Sequence, residues 1–269
     1  MKASAQTQAS TGAKTGNRYR IEALAKGLDV LRLFDETTTS LKLREICDRT
    51  GIPMPTAFRV VATLEEEGFL ERLPDGGIQP GVAVLTLGSA ALRGSGLVQL
   101  SEQPLRHLAE QIGETVNLGV LLGDQVLYLA RMRNSDLVTA NIQVGSTLPA
   151  AYTSMGKLLL AYLSPDEVRQ TLADYDFSAA AGPNAATSSE ELVARLAEIR
   201  AQGYALQDEE VAAGLRSVSV PVFGRDSRPA AAINIAVAAN RHSLASLRGP
   251  LLHALQSTAD DVSLRLRSA

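Results

Sequence analysis

LKLREICDRTGIPMPTAFRVVATLEEEGFLER, residues 41–72, carries two short helical patterns on either side of a tight break. The first runs from about Leu43 to Arg49 and stops at Gly51. Pro53 and Pro55 follow, and proline is tolerated in the first turn of a helix, where its missing N–H would have no partner anyway. A helix is therefore expected from about Pro55 to Glu67, closed by Gly68. Upstream, Leu24, Leu28, Leu31 and Phe34 recur at three- and four-residue steps from near Ile21, until Thr37-Thr38-Thr39-Ser40 breaks the pattern. Downstream, Phe69–Leu73 reads as a strand, Pro74-Asp75-Gly76-Gly77 as a turn and Ile78-Gln79 as the start of a return strand. Three helices and a hairpin in this order predict a winged helix-turn-helix over residues 20–81.

In the third helix Thr56, Arg59 and Thr63 share one face, while Ala57, Val60, Val61 and Leu64 supply the other with core residues. A helix lying in the major groove of DNA needs this division. Arg bonds bidentately to guanine, Thr contacts a thymine methyl or a phosphate, and the N-terminal tip, here Met54 and Pro55, approaches the base edges. A solvated amphipathic helix has the same stripe, so the face alone leaves both readings open. The surrounding order of elements favours DNA. Arg44 and the tail residues Arg18 and Arg20 are candidate contacts, since basic arms reach phosphates or the minor groove.

The whole chain has a net charge of −3 over 269 residues, which argues against bulk electrostatic binding to nucleic acid. Residues 1–84 hold 11 basic and 11 acidic side chains, leaving 15 and 18 for the remainder, so the acidic surplus lies in the second part. A local basic face is compatible with that balance. The single cysteine, Cys47, excludes an internal disulfide and a Cys-rich zinc site. His107, His242 and His253 lack metal-ligand or triad spacing, and no phosphate-binding glycine loop occurs. No catalytic residue, metal or cofactor is expected. Residues 1–19 are small and polar and predict a disordered tail, with no apolar leader and no run long enough for a bilayer, so a cytoplasmic protein without membrane contact is expected.

Residues 82–97, mostly apolar, predict a linker helix that packs on something, such as the same linker of a second subunit. Residues 98–269 form a second domain. It opens with a helix from Leu97 to Ile112 and continues with strands over Thr115–Leu122, Gln125–Arg131 and Leu137–Val144. Helices are expected over Ser154–Leu163, Pro165–Leu172 and Ser189–Gln202. Strands follow over Tyr204–Asp208, Val218–Phe223 and Ala230–Ala238, then one closing helix over Leu244–Arg267. Strands bracketed by helices make an α+β domain.

Two separated motifs resemble the IclR family of bacterial regulators. One is the stretch Leu41–Arg72, with Thr50-Gly51-Ile52-Pro53 before its helix and Leu64-Glu65-Glu66-Glu67-Gly68-Phe69-Leu70 after it. The other begins at Gly203, passes Glu210 and ends in Ser217-Val218-Ser219 with Val222-Phe223. Gln207 stands where Asp or Ser is usual, and Gly224 where Asp or Asn is usual. Within the family, Ile21–Leu28, Leu148–Lys157, Gly214–Ser217 and Ala232–Ile235 are most similar to the branch that regulates aromatic-acid catabolism through the β-ketoadipate pathway. That branch carries its signature acid one place later, at Asp208, and often has Cys where Tyr152 stands and Arg where Lys157 stands. The resemblance implies a GAF-like effector domain, a small organic acid such as 4-hydroxybenzoate or protocatechuate as effector, operator DNA as partner, and a homodimer or a dimer of dimers.

A carboxylate effector needs convergent donors, and a helix N-terminus supplies N–H groups and a favourable dipole. Ser154-Met155-Gly156 fits that place, with Gly156 allowing close backbone approach. Leu118, Tyr128, Met155 and Ala236 are candidate walls; Asp208, Ser217 and Asn234 are candidate polar contacts. Ser154 also reads as a helix cap, Asp208 as part of a solvated charge run with Glu209 and Glu210, and Met155 as core. Arg216 either positions the carboxylate or ties a loop to Asp208. Asn234 in an apolar strand favours function, because a buried amide demands partners. The alternative function is an enzyme or sensor on a GAF-like fold without DNA binding.

Overall fold

A computed structural model describes residues 19–35, 37–133, 142–177 and 181–269. The predicted tail, apart from Tyr19, lies outside the described residues, as do Arg18 and most of the strand predicted over Leu137–Val144. The chain divides into two units, residues 1–85 and 86–269.

The first unit contains α1 (Glu22–Leu31), α2 (Leu43–Thr50), α3 (Met54–Glu66) and an antiparallel pair, β1 (Leu70–Arg72) and β2 (Ile78–Pro80). Leu41 exchanges both backbone hydrogen bonds with Ile78, so the chain entering α2 is stitched to the hairpin. The Glu45 carboxylate accepts from the Lys42 N–H at 2.7 Å and satisfies one donor at the start of α2. Gly51 ends that helix with φ +68°, a left-handed conformation that costs glycine nothing and lets the chain turn straight into Pro53 and α3. Val30, Leu41, Ile46, Ile52, Ala57, Val61, Leu70 and Ile78 are buried and draw on every one of these elements. Each large member contributes roughly 1.5–3 kcal/mol of transfer free energy.

α4 (Val82–Gly94) straddles the boundary between the units; Val82, Leu85 and Leu87 on it are exposed. The second unit then runs through α5 (Gly96–Ile112), β3 (Thr115–Leu122), β4 (Gln125–Met132), β5 (Thr147–Pro149), α6 (Ser154–Ala161), α7 (Pro165–Thr171), α8 (Ser189–Gln202), β6 (Ala205–Asp208), β7 (Leu215–Phe223), β8 (Pro229–Ala238), α9 (Leu244–Arg248) and α10 (Pro250–Ser268). The six strands form one antiparallel sheet in the order β5-β4-β3-β8-β7-β6. One face packs on α5 and α10 through Leu105, Leu108, Leu118, Val218, Ile233, Ile235, Leu255 and Val262. The other packs on α6, which α8 covers in turn, through Val126, Tyr128, Met155, Leu158, Leu192 and Ile199. This is the expected α+β architecture.

Three expectations are corrected. The predicted closing helix is two helices, because Gly249 adopts φ −108°, ψ −108° ahead of Pro250, which lacks an N–H and disfavours helical geometry in the residue before it. β7 starts at Leu215 rather than Val218. β5, at Thr147–Pro149, was not expected; it pairs with Gln125–Leu127, whereas Ile142–Val144 lies outside any strand.

α6 is buried along its whole length, and Gly156 permits that. A Cβ on Gly156 would lie 2.3 Å from both the Cα and the carbonyl oxygen of Ala150, backbone atoms that cannot swing aside. Gly156→Ala should therefore lower unfolding free energy by about 3 kcal/mol or more, measured by urea denaturation with the native baseline intact.

Candidate functional site

The outward face of α3 is centred on Pro55 and Arg59, with Met54 and Phe58 beside them at 45% and 56% exposure. Ala57 and Val61, on the opposite side, are fully buried. Thr63 is exposed, but its hydroxyl donates back to the Arg59 carbonyl oxygen at 2.9 Å. Thr56 is half-buried, and Thr56, Arg59 and Thr63 all border a groove of about 480 Å³ whose other wall is Leu24, Gly27 and Leu28 of α1. The two threonines therefore flank the exposed face rather than centre it. Phe58, which the sequence reading did not single out, stands in the open. Arg44 is exposed on α2, and Arg20 pairs with Glu22 at 3.2 Å. Among the described residues neither Arg44 nor Arg59 has an ion-pair partner, so both guanidiniums are available to an anion.

In the second unit a row of polar side chains crosses the middle of the sheet on its α6 face. Arg131, Asn117, Asn234 and Ser219 are directly paired neighbours on β4, β3, β8 and β7. Arg131 Nη1 donates to Asn117 Oδ1 at 3.1 Å, and Asn117 Nδ2 donates to Asn234 Oδ1 at 2.7 Å. Asn234 Nδ2 donates to Ser154 Oγ at 3.4 Å, the Ser154 and Ser217 hydroxyls lie 2.7 Å apart, and Ser217 donates to Gln207 Oε1 at 3.4 Å. Asn117, Asn234, Ser154 and Gln207 are all at most 3% exposed. Even so, Arg131 Nε, Gln207 Nε2, Thr115 Oγ1 and Ser219 Oγ are buried with no partner among the described residues. Each unmet group costs on the order of 1–3 kcal/mol, so this row is not there for stability.

The row borders a cavity lined by Asn117, Tyr128, Arg131, Ile142, Leu148, Thr153, Gln207, Val211, Leu215, Ser217, Asn234 and Ala236. Its free space is about 20 Å³, room for a water and not for a ring. Burial pushes the Arg131 guanidinium below its usual value, against a smaller opposing effect of Tyr128.

Four of the nine expected effector residues line this cavity: Tyr128, Ser217, Asn234 and Ala236. Ser154 joins their hydrogen bonds without lining it, and it does not cap α6; Thr153 does, accepting from Gly156 N–H at 3.0 Å. Leu118 faces the α5–α10 side, because it pairs with Ala130 one step out of phase with Asn117. Met155 is buried among the apolar residues beneath Gly119, and the close approach at Gly156 is to Ala150 rather than to a ligand. Asp208 is held by Arg216 Nε at 2.6 Å on the sheet face opposite Gln207. Arg216 also donates to the carbonyl oxygens of Ala239 and His242, which settles it as a loop tie. Asn117, Arg131, Thr153 and Gln207 were missed; the strand pairing of Gln207 with Ser217 was the available signal.

Behind the cavity, Val211 sits in the loop joining β6 to β7. Glu209 there has φ +55°, the one described non-glycine residue in the left-handed region. Next to it, buried Glu210 pairs with buried Lys157 of α6 and, at 3.0 Å, with Arg195 of α8. Burial pulls the Lys157 ammonium below the usual lysine value, while Glu210 holds it up.

Among the described residues no group of three or more His, Cys, Asp or Glu is placed to hold a metal, and no single helix is long and apolar enough to cross a membrane.

Comparison with known proteins assigns both units. Residues 23–74 match the IclR helix-turn-helix domain, and residues 89–264 match the C-terminal domain of bacterial IclR transcriptional regulators. The Pca regulon regulatory protein of Pseudomonas putida is 32% identical over 94% of this chain and 86% of its own. The crystal structure of an IclR-family transcriptional regulator from Brucella abortus superposes with a TM-score of 0.81 at 26% identity, over 95% of this chain and 96% of that one. An IclR homologue from Microbacterium hydrocarbonoxydans, crystallised with 4-hydroxybenzoate, does so with a TM-score of 0.70 at 26% identity, over 92% and 100%.

Removing one member of the buried ion cluster separates its bonds. Glu210→Gln strands Lys157 and should cost about 3–5 kcal/mol in urea denaturation, whereas Lys157→Met leaves Glu210 with Arg195 and should cost less. In the Glu210→Gln protein Lys157 falls further below 10.5, so the unfolded chain holds a proton that the folded one has shed. Stability should then rise with pH from the lowered folded value up to that of the free side chain; a flat profile would contradict the burial of Lys157.

Proposed function

We propose that this chain, which belongs to the IclR family of DNA-binding transcriptional regulators, is switched by a small aromatic acid taken up between its six-stranded sheet and α6. Membership of that family removes the enzyme alternative. The observation that carries the ligand reading is the polar row Arg131–Asn117–Asn234–Ser154–Ser217–Gln207, whose two end members each border the cavity with an unmet donor, Arg131 Nε and Gln207 Nε2. Such a row favours a ligand with oxygen acceptors over a purely apolar one. The relative named for the Pca regulon and the homologue crystallised with 4-hydroxybenzoate support an aromatic acid.

In this reading residues 20–81 bind operator DNA, 82–97 link, and 98–269 receive the effector. Arg59 reads a base edge from α3, Met54, Pro55 and Phe58 press on neighbouring bases, Thr56 and Thr63 flank them, and Arg44, Arg18 and Arg20 hold phosphates. The protein acts in the cytoplasm, where its operator lies. The exposed Val82, Leu85 and Leu87 of α4 suit a second copy of the chain, as a homodimer or a dimer of dimers.

The cavity holds no ring in this conformation, so uptake of the acid must displace its walls. Ile142 and Val211 are walls that belong to loops rather than to the sheet or to α6. Movement of Val211 acts on its neighbour Glu210, and through Lys157 and Arg195 on α6 and α8. An effector that binds the opened form better shifts the population toward it, and DNA affinity follows by linkage.

Fluorescence anisotropy of the full chain on its own upstream DNA, at fixed salt, tests this reading. Saturable, sequence-preferring binding is expected, shifted about five- to a hundredfold by 4-hydroxybenzoate or protocatechuate. Arg59→Ala should weaken binding to the preferred site by about tenfold to a hundredfold and relax the preference at one base pair. Asn234→Leu should keep DNA binding and lose the response to the acid. Specific binding indifferent to both acids would discard the aromatic effector and leave the regulator in place.

A further inference from the structure

Two arginines, Arg216 and Arg131, stand on the central sheet of the second unit, and only one of them is committed. Arg216 is spent on Asp208 and on the carbonyl oxygens of Ala239 and His242. Among the described residues Arg131 makes one hydrogen bond, to a neutral amide, its Nε is buried with no partner, and no carboxylate lies within ion-pair distance. Burial already disfavours its charge. A half-buried cation beside a cavity, without an anion, has lost part of its hydration unrecompensed, and an incoming carboxylate would restore that loss.

Local backbone geometry aims it there. Between Leu118 and Gly119 the register of β3 against β4 shifts, with Leu118 opposite Ala130 and Gly119 opposite Tyr128, so that Leu129 is an extra residue on β4. Strict alternation would send Tyr128 and Arg131 to opposite faces of the sheet. The bulge puts both on the α6 face, where both line the cavity. Asn117 is oriented to match: its oxygen faces Arg131 and its N–H₂ faces Asn234, so the amide row is polarised by a charge at the β4 end.

We propose that Arg131 is the residue that holds the carboxylate of the effector, with Asn117 fixing the guanidinium in place. This rests on the reading of the cavity as an effector site, and extends it by assigning the anionic end of the ligand to β4 rather than to the N-terminus of α6. The guanidinium makes charge-assisted bonds that an uncharged amide ligand does not replace.

Isothermal titration calorimetry of the full chain tests it with three acid–amide pairs: 4-hydroxybenzoate, pyruvate and succinate, each against its amide. The wild type should prefer acid over amide by about tenfold to a hundredfold, the difference a close, partly buried charge pair sustains. Arg131→Gln should reduce that ratio to within about threefold without abolishing amide binding, and Arg131→Lys, which keeps charge but not the planar fork, should fall between the two. The lysine variant serves as the readout if the glutamine variant unfolds. An unchanged acid-to-amide ratio in either folded variant overturns the Arg131 assignment and leaves the effector site standing. Preference for aliphatic acids that is lost with Arg131 supports the assignment and removes the aromatic ligand. No binding of any acid to the wild type sinks both.

Discussion

The second unit depends on a helix with no side in contact with water. Every residue of α6 from Ser154 to Ala161 is buried, including a serine and a lysine. A helix in that position must find a partner for each polar side chain it carries, since burying an unmatched one costs more than most single contacts return. Ser154 finds Ser217 and Asn234 on the sheet, and Lys157 finds Glu210 on the loop between β6 and β7. Packing is equally demanding: Gly156 lies so close to Ala150 that a methyl group has no room. Sheet, helix and loop are thereby held in one arrangement by a few specific contacts, with the cavity between them.

That arrangement explains why some of the architecture was legible in the sequence and some was not. The first unit was read almost element for element, because α1, α2 and α3 are amphipathic helices stopped by glycine or introduced by proline, and local chemistry sets their ends. Five of the six strands of the second unit were legible as apolar runs, while the three-residue edge strand β5 was not. What failed was side-chain direction. Leu118 and Asp208 were assigned to the pocket, yet each lies next to the residue that does face it, Asn117 and Gln207. A strand gives two faces with a period of two, and nothing local says which face is which. Asn234 was the secure anchor, since an amide in an apolar strand marks the polar face. Carried through the pairing Asn234↔Asn117 and Ser217↔Gln207, it identifies the right residues.

Arg131 required more than phase. Reckoned from Tyr128 by alternation it falls on the wrong face, and only the bulge at Leu129 corrects it. Bulges leave little trace in composition, so this residue is visible only in the folded sheet. The break at Gly249-Pro250 is the reverse case: the two residues that cause it are plain in the sequence, but the apolar periodicity continues through them and concealed it.

The small size of the cavity bears on how such a protein can respond at all. A preformed pocket that accepted its ligand without rearrangement would gain binding energy but transmit nothing, because equal affinity for two states shifts neither. Here the row of amides and hydroxyls is set in rigid strands, while Val211 belongs to a loop that includes a left-handed non-glycine residue, Glu209. Strain of about 1–3 kcal/mol at such a residue persists only while its surroundings enforce it. The surroundings in question are Glu210 with Lys157 and Arg195, together with the bond from Gly214 N–H to the Glu209 carboxylate at 2.8 Å. On the proposed effector reading the sheet wall recognises and the strained wall yields, so that occupancy of the cavity reaches α6 and α8 through Glu210.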